Sequence, residues 1–178
     1  LTFCETDIVN FINDLCETYA KAAVQQKYNL TFRHDGLEEV KVWIDPINFD
    51  KVLLNLLSNA FKFTPEGESI EISLHVYEQT DQADGNPASG RVEIIVADSG
   101  IGIPVAELER IFDRFYQIRN DRNSRQIGSG VGLHLTRSLV ELHHGHIHAE
   151  NNPEGQSGSR FIISLPLGNA HLRAEEMN

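Results

Sequence analysis

Apolar side chains at Ile8, Phe11, Ile12, Leu15, Tyr19 and Ala22/Ala23 recur at three- and four-residue spacing, which predicts an amphipathic helix over about residues 6–27. Thr6 or Asp7 is placed to cap it. Two strand-like runs follow, LTFRH (30–34) and VKVWI (40–44), with the turn-forming pair Asp35-Gly36 between them. Asp45-Pro46 then opens a long helix, since proline at the first helical position lacks only an N–H that has no partner there. It runs to about Phe63 and stops at Thr64-Pro65, because a residue before proline avoids the helical region. SIEISLHVY (69–77) and RVEIIVA (91–97) alternate apolar and polar positions as antiparallel strands do, around a polar hairpin tip at 78–90. A glycine turn (98–103), a short helix (104–112), a polar segment (116–127) and a glycine cluster (128–132) lead into a helix ending near His144. Strands at 146–150 and 160–165 complete the core, and the tail after Gly168 is polar. This order predicts an α/β fold: a two-layer sandwich of one mixed β-sheet with helices on one face.

Composition narrows the class. A chain of 178 residues with 40% hydrophobic residues is near the length of one domain and has the material for a core. We read residues 1–168 as that domain, with 1–28 as a leading helical segment and 169–178 as a linker tail. The formal charge of −11 argues against broad nucleic-acid binding and against docking on an anionic lipid surface. Cys4 and Cys16 form neither a disulfide framework nor a CxxC pair. No run approaches the ~18 apolar residues of a membrane helix, and no signal peptide opens the chain. The first residue is Leu rather than Met, so the chain reads as part of a longer protein.

Three stretches carry candidate chemistry. On the 46–63 helix, Asn55, Asn59 and Lys62 fall within roughly 60° of one another, opposite Leu53, Leu56, Leu57 and Ala60. A solvated face is the ordinary explanation, but Asn is a poor helix former and Glu, Lys or Gln would serve solvation better. Amide oxygens suit a hard cation and lysine suits phosphate. Second, Asp98-Ser99-Gly100-Ile101-Gly102-Ile103-Pro104 follows an apolar strand. Its alternate glycines leave room for a flat group, and Asp98 can accept from an amino group. Third, Gly128-Ser129-Gly130-Val131-Gly132-Leu133 opens a helix whose free N–H groups favour phosphate oxygens, although it matches neither a Rossmann nor a Walker pattern. Between the second and third, residues 114–125 hold Arg114, Arg119, Arg122 and Arg125 against Asp121 alone, which suits a lid over an anionic ligand.

NLLSNAFKF (55–63), DSGIGI (98–103), IFDRFY (111–116) and GSGVGL (128–133) occur in the order and spacing of the N, G1, F and G2 boxes. Together they resemble the catalytic ATP-binding domain of sensor histidine kinases, over about 49–168. The resemblance implies ATP and Mg²⁺ as ligands, with Asn59 on the metal and Asn55 and Lys62 toward the phosphates as the catalytic set. It places Phe63 in the nucleotide site, Asp98 on the adenine amino group, and Gly100, Gly102 and Ile103 around the adenine. Phe112, Phe115 and Tyr116 would anchor a lid, Arg114 or Arg119 would lie near the γ-phosphate, and Gly128, Ser129, Gly130, Val131, Gly132 and Leu133 would meet the phosphates. Two positions depart from the family: Phe63 stands where Tyr is common, and Gln117 where Arg is common.

Such kinases phosphorylate a His on a separate two-helix domain, in a His-Glu-hydrophobic-Arg context that none of the eight His residues here shares. The implied partners are therefore a phosphoacceptor His domain of the same parent, through which the parent would dimerise, and a response-regulator receiver domain downstream, as in hybrid two-component systems. The chain would be a cytoplasmic domain of a membrane-anchored sensor, without direct membrane contact. Two alternatives accompany this reading. An ATPase of the same fold would carry a catalytic Glu one turn before the metal-binding Asn, where this chain has Asn55. A non-catalytic interaction module would have lost nucleotide binding, against which Asn59, Asp98 and the glycines of the last box speak. His143, His144, His146 and His148 are spaced across a predicted helix–strand junction, with no Cys or carboxylate nearby to complete a zinc site.

Overall fold

In the computed structural model the Asp45 carboxylate accepts from Asn48 N–H at 3.1 Å, and Pro46 takes the first helical position. The structure describes residues 1–25, 27–78, 90–114, 116 and 132–178, with Phe63 described in its backbone only. Its elements run β1 (Cys4–Asp7), α1 (Ile8–Gln25), β2 (Asn29–Arg33), β3 (Lys41–Ile44), α2 (Pro46–Phe63), β4 (Ser69–Tyr77), β5 (Arg91–Asp98), α3 (Gly132–Leu142), β6 (His146–Asn151) and β7 (Ser159–Pro166). Short 3₁₀ turns lie at Val105–Glu107, Arg110–Phe112 and Ala174–Glu176. At the end of α2, Thr64 is extended (φ −107°, ψ 121°), as its position before Pro65 requires.

Five strands form one mixed sheet in the order β2-β4-β5-β7-β6. β2 runs parallel to β4 and the other pairs are antiparallel. Strand alternation decides the buried face: Ile70, Ile72 and Leu74 of β4, Val92, Ile94 and Val96 of β5, and Ile163 and Leu165 of β7 are all within the core. Ile8, Val9, Ile12 and Leu15 of α1 and Phe49, Val52, Leu53, Leu56 and Leu57 of α2 close over them. Full burial of each such side chain is worth about 2 kcal/mol, so the apolar stripe rather than helix propensity holds α2 in place. α2 also packs against α3 and β5, and the result is the two-layer sandwich expected from the sequence.

Three local expectations are corrected. The runs at 30–34 and 40–44 do not pair with each other: β2 joins the main sheet beside β4, with Leu30 opposite Ile70, while β3 pairs with β1 in a separate two-stranded sheet. Asp35-Gly36 does turn, at φ 48° and 82° with Leu37 N–H donating to His34 O, but burial of Val42 and Ile44 sends the chain to a different neighbour. Residues 4–7, read partly as helix, form β1; Asp7 Oδ1 still caps α1 by accepting from Val9 N–H at 3.1 Å and also takes Val40 N–H. The short helix expected at 104–112 is two 3₁₀ turns. Most of the expected hairpin tip at 78–90 (residues 79–89) and most of the polar segment and glycine cluster (117–131) lie outside the described residues.

Residues 169–178, read as a linker tail, fold back on the start of the chain. Phe3 N–H donates to Glu176 O, Asn178 N–H donates to Phe3 O, and Phe3 bridges in parallel to Met177. Phe3 is buried and meets the ring of His143 edge-on at 5.3 Å.

His143 is fully buried and neutral by construction. Its Nε2 accepts from Asp45 N–H at 3.1 Å, and its Nδ1 lies 2.7 Å from Leu139 O, which assigns the proton to Nδ1. Burial lowers the imidazole pKa below its ordinary value, over the opposing pull of those bonds and of the Asp45 carboxylate. The folded state therefore favours the uncharged ring. Its contribution is complete above the unfolded value of about 6.5 and is lost as pH falls from there toward the depressed folded value. Urea midpoints should accordingly drop between about pH 7 and pH 5, and His143→Gln should flatten that drop; an identical acid limb in the variant would contradict the assignment.

Candidate functional site

Of the polar stripe of α2, Asn55 is bonded to the start of α3. Asn55 Nδ2 donates to Gly132 O and to Thr136 Oγ1, and Thr136 Oγ1 donates to Gly132 O at 2.9 Å. A Cβ at Gly132 would come within 2.9 Å of Asn55 Oδ1, so glycine is what lets the two helices approach at this point. Asn55 thus ties the N-box helix to the first turn of α3. One turn further along α2, Asn59 is half-buried, and Lys62 beyond it is exposed. The amide oxygen of Asn59 is a hard donor of the kind Mg²⁺ takes, next to a lysine that offers charge to phosphate.

The second stretch begins where β5 ends. Asp98 is 7% exposed. Its Oδ1 accepts from Gly100 N–H at 3.0 Å and from Ser159 N–H at 3.4 Å, and its Oδ2 accepts from Ser159 Oγ at 3.0 Å. Burial raises its pKa above the usual carboxylate value, and those hydrogen bonds offset part of the rise. The carboxylate is thus partly desolvated, the condition in which an acceptor discriminates best between ligands that do and do not donate. Gly102 turns the backbone at φ 79°, and Ile103 is buried beyond it.

This loop is tied back to the start of β4. Ser99 Oγ donates to Glu68 Oε2 at 2.7 Å, and Ser69 N–H donates to Ser99 Oγ at 2.8 Å, just past the turn that follows α2. β5 pairs with β4 so that Asp98 lies opposite Ile70. Gly132 is thus held against Asn55 on α2, and the Asp98 loop is held at residues 68–69, past the turn that follows α2. Gly100 is buried, Leu133 packs against the core, and Arg114 is exposed. Phe115, Gly128, Ser129, Gly130 and Val131 lie outside the described residues, as does the side chain of Phe63.

The base of the expected lid is anchored at two points. Phe112 is buried and meets Phe161 of β7 edge-on at 6.0 Å and 89°. Tyr116 donates its hydroxyl to the Glu107 carboxylate, and the Arg110 guanidinium lies 5.3 Å from its ring centre. Beside this anchor a cavity of about 330 Å³ opens between Phe112, Arg114, His134 and Arg137.

Sequence reasoning missed a group of residues that hold the Asp98 loop from its far side. Asn151 ends β6 and Asn152 follows it, while Gly158 precedes Ser159, the first residue of β7. Asn152 Nδ2 donates to Asp98 O at 2.8 Å, and Ser157 Oγ donates to Ser99 O at 2.9 Å. The only signal in the sequence is a pair of polar clusters at the ends of two strands, and their relevance depends on β7 lying beside β5.

Comparison with known proteins agrees with this geometry. Residues 44–169 match the family model described as histidine kinase-, DNA gyrase B- and HSP90-like ATPase. The chain is 31% identical over 180 aligned residues to histidine kinase P4 of Formosa agariphila, covering 99% of this chain and 12% of that protein. It is 37% identical over 160 residues to the sensor protein kinase WalK of Staphylococcus aureus, covering 90% of this chain and 35% of that protein. The catalytic domain of histidine kinase ThkA in a nucleotide-free form superposes with a TM-score of 0.75 at 25% identity, covering 94% of this chain and 99% of that one. The chain therefore spans only a minor part of the two full-length kinases and nearly the whole of the isolated catalytic domain. It belongs to the histidine kinase-, DNA gyrase B- and HSP90-like ATPase family, as an ATPase-fold domain of the sensor histidine kinase type.

Proposed function

We propose that this chain binds Mg-ATP and delivers its γ-phosphoryl group to a histidine on a separate helical domain of the same parent protein. Asn59 would hold the Mg²⁺ through its amide oxygen, with the remaining ligands coming from the phosphates and water; the bound ion would neutralise phosphate charge. Lys62 and the N–H groups at the start of α3 add positive potential on the same side. Asp98 accepts from the adenine amino group, and the loop around Gly100 and Gly102 receives the ring. The domain's own work is positioning, and no side chain forms a covalent intermediate.

Asn55 carries the choice of phosphotransfer over ATP hydrolysis. A hydrolase of this fold needs a carboxylate base at this position to activate water. Here the side chain donates two hydrogen bonds, to Gly132 O and Thr136 Oγ1, and an ionised carboxylate could make neither. Position 55 is built for a donor. Incubating the chain with γ-labelled ATP, Mg²⁺ and the phosphoacceptor domain of the parent tests the proposal. Label should appear on that domain in an acid-labile, base-stable form; release of inorganic phosphate as the sole product would favour the hydrolase reading.

The same reading makes a receiver domain the next acceptor, in line with a structure of ThkA solved in complex with response regulator protein TrrA. We place the chain in the cytoplasm, as part of a membrane-anchored sensor. Among the described residues no helix is long and apolar enough to cross a membrane.

A further inference from the structure

Asn151 is the last residue of β6, and its side chain pairs with both main-chain groups of one residue of the Asp98 loop. Its Oδ1 accepts from Ile103 N–H at 2.8 Å, and its Nδ2 donates to Ile103 O at 2.8 Å. Asparagine is the shortest side chain that offers an acceptor and a donor side by side, so it completes here a two-bond pairing of the kind a neighbouring strand would make. The pairing leaves no slack. A Cβ on Gly102 would stand 3.0 Å from Asn151 Oδ1, and Gly102 itself is at φ 79°. Asn151 therefore fixes the rotation of the Gly102–Ile103 peptide, and with it the wall of the loop that Asp98 opens.

We propose that Asn151 is a positioning residue for the nucleotide base: through Ile103 it sets the width of the adenine slot, without touching the ligand or the phosphate side. The proposal rests on the reading that the base lies on the 98–103 loop. Three observations separate this role from general stability. Asn151 is half-buried at a strand end, outside the apolar core. Both of its hydrogen bonds go to the one loop residue. The phosphate-side residues Asn55 and Gly132 sit on helices that none of these bonds reach.

The variants Asn151→Asp and Asn151→Ser distinguish the outcomes. Aspartate keeps the acceptor for Ile103 N–H but sets a carboxylate oxygen against Ile103 O, whereas serine keeps a single short-reach partner and loses the pairing. Titrations of the chain with ATP, AMP and inorganic tripolyphosphate read base and phosphate contributions separately. Losing one hydrogen bond and setting a carboxylate against Ile103 O should weaken ATP and AMP by about tenfold each in Asn151→Asp, with a smaller loss in Asn151→Ser, which sets no charge there. Tripolyphosphate affinity should stay unchanged, which also certifies that the variants are folded. In the parent kinase, KM for ATP should rise with kcat preserved. Equal losses for ATP and tripolyphosphate, or unchanged AMP affinity in both variants, would overturn the role. Failure of the unsubstituted chain to bind ATP at all would instead overturn the reading it rests on.

Discussion

Replacing Gly158 with alanine should be among the most damaging single substitutions outside the core. Gly158 holds φ 96°, and a Cβ there would stand 2.0 Å from Asp98 O, 2.7 Å from Asp98 C and 2.8 Å from Ser99 Cα. All three are backbone atoms, so no side chain can swing aside. The left-handed φ alone costs roughly 1–2 kcal/mol, and forced repacking adds roughly 1–3 kcal/mol. Either the β6–β7 connection or the Asp98 loop has to move to relieve that contact. Gly155 in the same connection is the control: it also lies at φ 89°, yet nothing stands within 4 Å of a Cβ there. Gly155→Ala should therefore lose only the conformational part. Urea unfolding of both variants should show Gly158→Ala the less stable by about 2 kcal/mol or more, and only Gly158→Ala should lose affinity for an ATP analogue. Equal destabilisation would mean that close packing against Asp98 contributes nothing.

Asn59→Ala should separate function from stability in the opposite direction. Asparagine in the middle of a helix is less favourable than alanine by up to ~0.7 kcal/mol, so the variant should unfold at the same temperature as the unsubstituted chain or slightly higher. Phosphotransfer to the acceptor domain should nevertheless fall on the order of a hundred- to a thousand-fold, the usual effect of deleting one preorganised group at a developing phosphoryl charge. Binding supplies a second readout. ATP affinity should lose its dependence on Mg²⁺ while affinity in EDTA stays the same. Undiminished transfer, or an intact Mg²⁺ dependence, would remove Asn59 from the metal role and leave its place in mid-helix unexplained.

What was legible in the sequence follows from how local each determinant is. α2 could be read end to end because its start depends on Asp45-Pro46, its stop on Thr64-Pro65 and its buried face on a single helical period. β4 was legible because apolar residues alternate strictly along its nine residues, and β5 because its eight carry an apolar residue at 92, 94 and 96 among β-formers. β1 has four residues and no alternation of burial, and its existence depends on β3 being free to pair with it. The Asp35-Gly36 turn shows the limit of turn chemistry: it reverses the chain but does not choose which strand the next segment meets.

The site divides along the same line. Asn55, Asp98 and Gly132 stand in contiguous motifs, so their candidacy was visible. The bonds that give Asn55 its part run to residues 77 and 81 positions away, so its service as a donor was not. Asn151, Asn152, Gly158 and Ser159 act on the Asp98 loop only because β7 lies next to β5, and no local pattern announces that adjacency. The C-terminal segment is a further instance: its polar composition suggested a linker, yet backbone hydrogen bonds to Phe3 hold it against the domain.

The account stands on the claim that the α2 stripe, the Asp98 loop and the start of α3 form one Mg-nucleotide site. Calorimetric titration of the chain with a non-hydrolysable ATP analogue, with Mg²⁺ and then with EDTA, tests it most directly. Saturable binding of one nucleotide per chain is expected, weakened when Mg²⁺ is removed and weakened again by Asp98→Ala. No heat of binding at millimolar analogue, or binding that neither EDTA nor Asp98→Ala disturbs, would contradict it.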